Sequence, residues 1–510
     1  MNISDWLVRN ASRDPGGAAI HFEGHTITHG ELLSRVEAFA AALSSMGVGA
    51  GDRVGLFLAN CPEFLIARWA AIRLGAAAAP MNIMFQAREA QYVLNNATPH
   101  VLVTESSQLA LIEQIWPECP HLRHLVVTDA EIHGAHSFAA LEHDWAGRSV
   151  PMHDCGPDEV CDLYYTSGTT GRPKGVMCSH FNFESLLRYE QVIWNMAPSD
   201  HTMVALPLFH AKGLIIPCLL ATYVGCPQTL LRRWDTRLVL ELIERNKVTF
   251  FAGVPTMYAY LNAFEDFGRY DISSIRICRV GGAPMPVEMQ RVFEHRTGAA
   301  IIEGWGCTGW TGTSNPLDGE RAIGSIGKAL GELDPSINCE IRIVDDDGRD
   351  VSPGAEGEVV IRGDQIPKGF WRMPHKTASD YRAGWFHTGD IGRRDERGFI
   401  YLVGRKDDLI ITAGFNVYPR EVEEVLYGHP AVADVAVVGV PDGDKGQSIK
   451  AFVVRRPGAD ASEAALIEHC RSQLAKYKAP RAVEFLDALP KTASGKVQRF
   501  LLTGASTVRR

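Results

Sequence analysis

Tyr165-Thr166-Ser167-Gly168-Thr169-Thr170-Gly171-Arg172-Pro173-Lys174-Gly175 is the densest chemical signal in the chain. Four Ser/Thr hydroxyls, three glycines and a lysine fall within these residues, so the stretch reads as a phosphate cradle. Glycines let backbone N–H groups approach an anion, the hydroxyls add donors, and Lys174 adds positive charge. The stretch lacks the Gly-Lys-[Ser/Thr] ending of a Walker loop, which disfavours an ordinary P-loop nucleotidase.

Around this loop, apolar runs such as Val54-Gly55-Leu56-Phe57-Leu58 and Val101-Leu102-Val103-Thr104 alternate with helix-period segments over 31–43 and 64–74. That alternation predicts an α/β fold. The chain has 510 residues and is 46% hydrophobic, enough for at least two cores. Strands over 435–440, 451–454 and 482–486 and a helix over 464–474 predict a small α+β unit at the C-terminal end. The charged, glycine-bearing Gly404-Arg405-Lys406-Asp407-Asp408 precedes that unit and reads as a hinge. The expected organisation is a large domain over 1–403, a hinge over 404–408 and a lid domain over 409–510.

A net charge of −9 disfavours a nucleic-acid polymer as partner. The eleven cysteines form no C-x-x-C pair, which points to reduced thiols and a cytoplasmic location. The most apolar stretch, 213–226, is short and interrupted by Pro217, so no membrane span is expected. The chain shows no internal sequence repeat. A homodimer is compatible with this reading.

Further segments have the same chemical flavour. Pro490-Lys491-Thr492-Ala493-Ser494-Gly495-Lys496 sets a lysine among small residues, and Trp385-Phe386-His387-Thr388-Gly389-Asp390 ends in an acid. Val280-Gly281-Gly282-Ala283-Pro284 and Glu303-Gly304-Trp305-Gly306-Cys307-Thr308 are glycine-dense and leave room for a flat ligand. With the hydroxyl loop, and in this order, these segments resemble the signatures of the adenylate-forming superfamily, which includes acyl-CoA synthetases, luciferase and the adenylation domains of peptide synthetases.

The resemblance covers nearly the whole chain and implies a large α/β domain of several subdomains with a small mobile α+β lid, as in acyl-CoA synthetases and luciferase. It implies an ATP-dependent acid–CoA ligase, with ATP, Mg²⁺ and coenzyme A as cofactors and co-substrates, a small carboxylic acid as partner and a place in fatty-acid metabolism. Thr166, Ser167, Gly168, Thr169, Thr170, Gly171 and Lys174 would then hold phosphates. Gly282, Ala283, Pro284, Glu303, Gly304 and Trp305 would form the adenine slot, with the indole against the base. Asp390 and Arg405 would hold the ribose, and Lys496 would be the catalytic cation.

Pro207-Leu208-Phe209-His210-Ala211-Lys212-Gly213 resembles the family's acyl-pocket segment. On that basis His210, Lys212, Gly213, Phe251, Gly281, Gly306, Cys307 and Trp310 are expected around the acyl group, with His210 beside the carboxylate. Lys212 either meets a polar substrate tail or snorkels to solvent. The segment from Leu409 to Glu423 resembles the acyl-CoA synthetase branch, with Asp407 as pivot and Gly414 and Phe415 beside the pantetheine tunnel.

One position departs from the family. A glutamate that coordinates Mg²⁺ usually follows the threonine matching Thr308, and Gly309 stands there instead. Thr308 is retained as an indirect metal or phosphate contact. On this reading Gly309→Glu is expected to raise adenylation at low Mg²⁺. Two rival readings are an adenylate-forming enzyme with another acceptor (carrier protein, amine or oxygen) and a nucleotide-binding protein with impaired catalysis.

Overall fold

The computed structural model describes residues 1–166, 173–283, 285–412, 414–442, 446–492 and 497–504. Two seven-stranded sheets dominate the large domain. The first runs His136–Ser137, His124–Val127, Val101–Thr104, Arg53–Phe57, Ala77–Pro80, Val160–Tyr165, Gly175–Ser179 across its width, and the second runs Ile301–Glu303, Ile277–Val280, Phe250–Gly253, Thr202–Val204, Gln228–Leu230, Ala18–Phe22, His25–Thr28. Each has parallel pairing along its length and ends in one antiparallel pair. Five strands of each sheet follow one order with no repeat in sequence, whereas the hairpin at the far edge comes after those five in the chain in the first sheet and before them in the second.

The continuous apolar runs become strands buried on both faces, as a covered parallel sheet requires. Helices His29–Ser45 and Pro62–Arg73 pack beside them. The first starts at a capping box in which Thr28 and Glu31 satisfy each other's backbone N–H groups. The second starts with Pro62, whose missing N–H costs nothing at that position. Nearly every residue of this second helix is buried, Arg68 included, so it lies inside a core that draws on both sheets. Arg68 is fully buried and forms a forked ion pair with Asp162 at 3.0 and 2.5 Å. Its guanidinium also lies 4.5 Å from the Trp69 ring centroid.

The topology selects the place of the site. Strand order reverses around Thr202–Val204, and ligands in open α/β sheets bind beyond the carboxyl ends of strands at such a switch point. The chain leaves those ends at 205–212, Val254, 281–283 and 304–306. A third, antiparallel sheet over 339–405 has its own core, which includes Trp305, Trp310, Ile341 and Ile361.

Beyond it a further antiparallel sheet, with one parallel strand pair, carries helices Pro419–Tyr427 and Glu463–Gln473 around a separate apolar core. Only the short turn Lys406–Asp408 lies between the last strand of one sheet and the first of the next. Among the described residues, no helix is long and apolar enough to cross a membrane. The apolar 213–226 stretch is instead a buried helical segment containing Pro217.

Candidate active site

The hydroxyl loop is the tip of an antiparallel hairpin. Strands Val160–Tyr165 and Gly175–Ser179 pair up to Tyr165 opposite Gly175. Thr166 N–H donates to the Lys174 carbonyl at 3.0 Å, and Lys174 N–H donates to Thr166 Oγ1 at 3.4 Å, closing the base of the loop. A strand, Gly175–Ser179, rather than a helix follows this segment, in keeping with the missing Walker ending. Ser167, Gly168, Thr169, Thr170 and Gly171 lie outside the described residues. Burial, then nearby Lys376 and Arg405, holds the Lys174 ammonium below its usual range, while Asp380 and Asp407 oppose this. Arg405 and Asp407 are thus close enough to act on the Lys174 ammonium through space.

Asp390 and Arg405 face each other directly across strands Trp385–Arg394 and Ile400–Arg405. Arg405 Nε lies 3.5 Å from Asp390 Oδ1, and Trp305 Nε1 donates to Asp390 Oδ2 at 2.9 Å. A buried carboxylate is tolerable only with such partners. Trp305 is buried and meets the Trp310 ring edge-on at 5.0 Å. The indole expected against adenine has its N–H on Asp390 and so fixes the orientation of that carboxylate. Trp310 is likewise packed into the third sheet's core, against Trp305 and Phe386, and does not line the cavity beside His210.

The glycine-dense turns are close-packed backbone. A Cβ on Gly281 would lie 2.8 Å from the Gly304 carbonyl, and one on Gly306 would lie 2.1 Å from the Trp310 carbonyl. Gly282, with φ of +82°, sits over the stem of Lys212. Ala283 follows half-buried, while Pro284 lies outside the described residues. Cys307 is the one exposed cysteine and neighbours Arg405.

Beneath these turns a largely enclosed cavity of about 20 Å³ is lined by Leu206, Pro207, His210, Lys212, Val254 and Gly282. His210 caps the short helix Ala211–Gly213, its Nδ1 accepting from Lys212 N–H at 3.2 Å. Gly213 is required by the turn, since a Cβ would lie 2.3 Å from the Pro207 carbonyl, and it does not line the cavity. Phe251 also lies elsewhere, buried in an apolar core against Tyr258 and Trp234. Lys212 does not snorkel: its Nζ is sealed from solvent and has no hydrogen-bond partner among the described residues.

Sequence reading missed Leu206 and Val254, which carry no local signal, and Arg279. The last was detectable as a charge inside the apolar strand Ile277–Val280. It is buried beside Glu190, at 3.7 Å, and contacts Thr311.

Glu303 is 3% exposed, with Oε1 accepting from Met285 N–H at 3.4 Å and Oε2 unbonded. Burial pushes its carboxyl up to about 7, while Arg420 of the small domain, the Met285 N–H and Lys212 pull it down. A pKa raised above the unfolded value stabilises fully below the unfolded pKa, and that contribution is lost as pH rises through the folded one. Glu303→Gln removes this loss. Its unfolding free energy relative to wild type is expected to improve by about 2 to 3 kcal/mol between pH 5 and pH 8, measured by urea unfolding at each pH.

The turn at Thr308 and Gly309 joins strands Gly306–Cys307 and Trp310–Thr311. Gly309 has φ of +91°, and a Cβ there would lie 2.6 Å from Cys178 Sγ and 3.0 Å from Pro367 Cγ. The position has no room for a glutamate, so the expectation that Gly309→Glu restores a metal ligand is corrected. The residues at this turn do not fit a carboxylate-held Mg²⁺. The one cluster of potential metal ligands among the described residues, His153, Cys155 and Glu159, lies instead beside the N-terminus and Gly75.

Asp407 is exposed in the turn between domains. Gly414 has φ of +81° and open space around it, and Phe415 is exposed and stacked on Tyr477 at 4.4 Å. Lys496 lies outside the described residues.

The family model for AMP-binding enzymes matches residues 7–371, and that for the AMP-binding enzyme C-terminal domain matches 421–496. A long-chain-fatty-acid–CoA ligase of Bacillus subtilis (strain 168) is 34% identical over 97% of this chain and 92% of its own. A feruloyl-CoA synthase of Amycolatopsis sp is 36% identical over 98% of this chain and 97% of its own. The crystal structure of the anthranilate CoA ligase AuaEII in complex with anthranoyl-AMP superposes with a TM-score of 0.92 at 32% identity, covering 99% of this chain and 97% of that one.

Proposed function

The chain belongs to the AMP-binding enzyme family and is an ATP-dependent acid–CoA ligase, and from that premise we propose that the acid it activates is compact rather than long-chain. The ligase joins a carboxylate oxygen to the α-phosphorus of ATP with loss of pyrophosphate, then passes the acyl group to the thiol of CoA with loss of AMP. The observation that carries the proposal is the cavity under His210. At about 20 Å³ it has room for a group the size of one water, and Lys212 and Val254 are among its walls.

In this proposal the 166–174 loop holds the β and γ phosphates, and Asp390 with Arg405 holds the ribose hydroxyls. Lys496, delivered by the lid, offsets charge as carboxylate approaches phosphate. The facing pair of Asp390 and Arg405, and the approach of Arg405 and Asp407 to Lys174, support this assignment. A Mg²⁺ accompanying the nucleotide would offset phosphate charge there without a carboxylate at 309. After adenylation the lid, covering 409–510, turns at Asp407 and brings Gly414 and Phe415 to the CoA thiol. The eleven free thiols support a cytoplasmic location.

The test is kcat/KM for thioester formation across straight-chain acids from acetate to palmitate and across ring acids. Short or single-ring acids are expected to exceed palmitate by at least about 100-fold. A preference for palmitate would overturn the compact pocket.

A further inference from the structure

Lys212 is the least explained residue of the site. Its aliphatic stem lies over Gly282, with Cδ 3.3 Å from where a Cβ would stand, and its Nζ lies 3.1 Å from the corresponding point on Gly281. The nitrogen is sealed from solvent and has no hydrogen-bond partner among the described residues, yet the residue lines the one-water cavity beneath His210. Glu303 is close enough to act on it through space but does not bond to it, and Arg279 adds a second positive charge nearby.

A buried donor without an acceptor is costly, whereas a methionine of similar length would fill the same space without that cost. The arrangement becomes favourable when a ligand brings an acceptor into the cavity. With His210 at the reacting carboxylate, which is taken up in the bond to the α-phosphorus, the acceptor left for Lys212 is a further oxygen of the acid.

We propose that Lys212 is a specificity-determining residue that donates a hydrogen bond to an oxygen acceptor the acid carries in addition to its reacting carboxylate. The substrate class is therefore a compact oxygenated acid: a keto, hydroxy or second-carboxylate acid rather than a plain hydrocarbon one. This rests on the compact-acid ligase reading and narrows it. A plain hydrocarbon in the cavity would leave the Lys212 nitrogen unpaired in the complex, and sites built to bond a substrate oxygen discriminate strongly against analogues that lack it.

The experiment compares matched acids: cyclohexanecarboxylate with its ring ketones, benzoate with hydroxybenzoates, and pentanoate with glutarate. Each is assayed for thioester formation with wild type, Lys212→Met and Lys212→Gln. In wild type the best oxygenated acid is expected to exceed its plain partner by about 10- to 100-fold in kcat/KM, mostly through KM. Lys212→Met is expected to shrink that preference to within about 3-fold, and Lys212→Gln, which keeps a donor, to retain part of it.

Isothermal titration of the same acids, with wild type and variants and without ATP, gives the comparison independently of turnover. Equal treatment of matched acids by wild type, or an unchanged preference in Lys212→Met, would overturn the role of Lys212. Selectivity lost in Lys212→Met but with long acids preferred by wild type would overturn the compact pocket instead.

Discussion

Gly309→Glu is expected to destabilise the protein by on the order of 5 kcal/mol and to lower adenylation at every Mg²⁺ concentration. Three costs combine at this position. A side chain at φ of +91° is strained by about 1 to 2 kcal/mol. The Cβ alone would collide with Cys178 and Pro367, and overpacking of this kind costs about 1 to 3 kcal/mol. The carboxylate would then enter a site walled by Cys178, Pro367 and Val176, where an unpaired charge costs several kcal/mol more. Urea unfolding and pyrophosphate release over an Mg²⁺ series check both parts. A folded variant with enhanced activity at low Mg²⁺ would show that the turn can open to admit a metal ligand.

The second large effect lies on the strand that leads into the hydroxyl-rich segment. Asp162 sits on the strand that ends at Tyr165, and its only charged partner among the described residues is Arg68, both fully buried. Asp162→Ala leaves the guanidinium uncompensated and is expected to cost about 3 to 5 kcal/mol. The double variant Arg68→Met/Asp162→Leu removes both charges and is expected to recover most of that loss, because a buried pair is often replaceable by apolar groups of similar volume. Chemical denaturation of the three proteins decides this. A single variant as stable as wild type would mean that water or another group reaches Arg68.

These residues mark how far the sequence was readable. The strands Arg53–Phe57 and Val101–Thr104 and the helix Pro62–Arg73 follow from local apolar runs and from Pro62, so they lie within a residue or two of their expected places. The stretch 166–174 stands out in the sequence because its chemistry is contiguous. The bond from Trp305 to Asp390 does not, since that carboxylate is 85 positions further along the chain.

Lys212 illustrates the same limit: a lysine ordinarily reaches solvent, and only the turns at 281–282 and 304, folding over it from distant strand ends, keep it inside. Gly309 was visible as a departure from the family, but its cause, the approach of Cys178 and Pro367, is purely tertiary. The order that five strands of each large sheet share left no trace in side-chain identity.

The most direct test of the account is a single-turnover experiment with a short oxygenated acid, ATP and Mg²⁺, with and without CoA, on wild type and Lys496→Ala. Wild type should release pyrophosphate on adding the acid, and AMP with one equivalent of thioester only on adding CoA, with pyrophosphate release slowed by at least about 100-fold in Lys496→Ala. Pyrophosphate release that CoA does not convert into AMP and thioester, or a Lys496→Ala variant as fast as wild type, would contradict it.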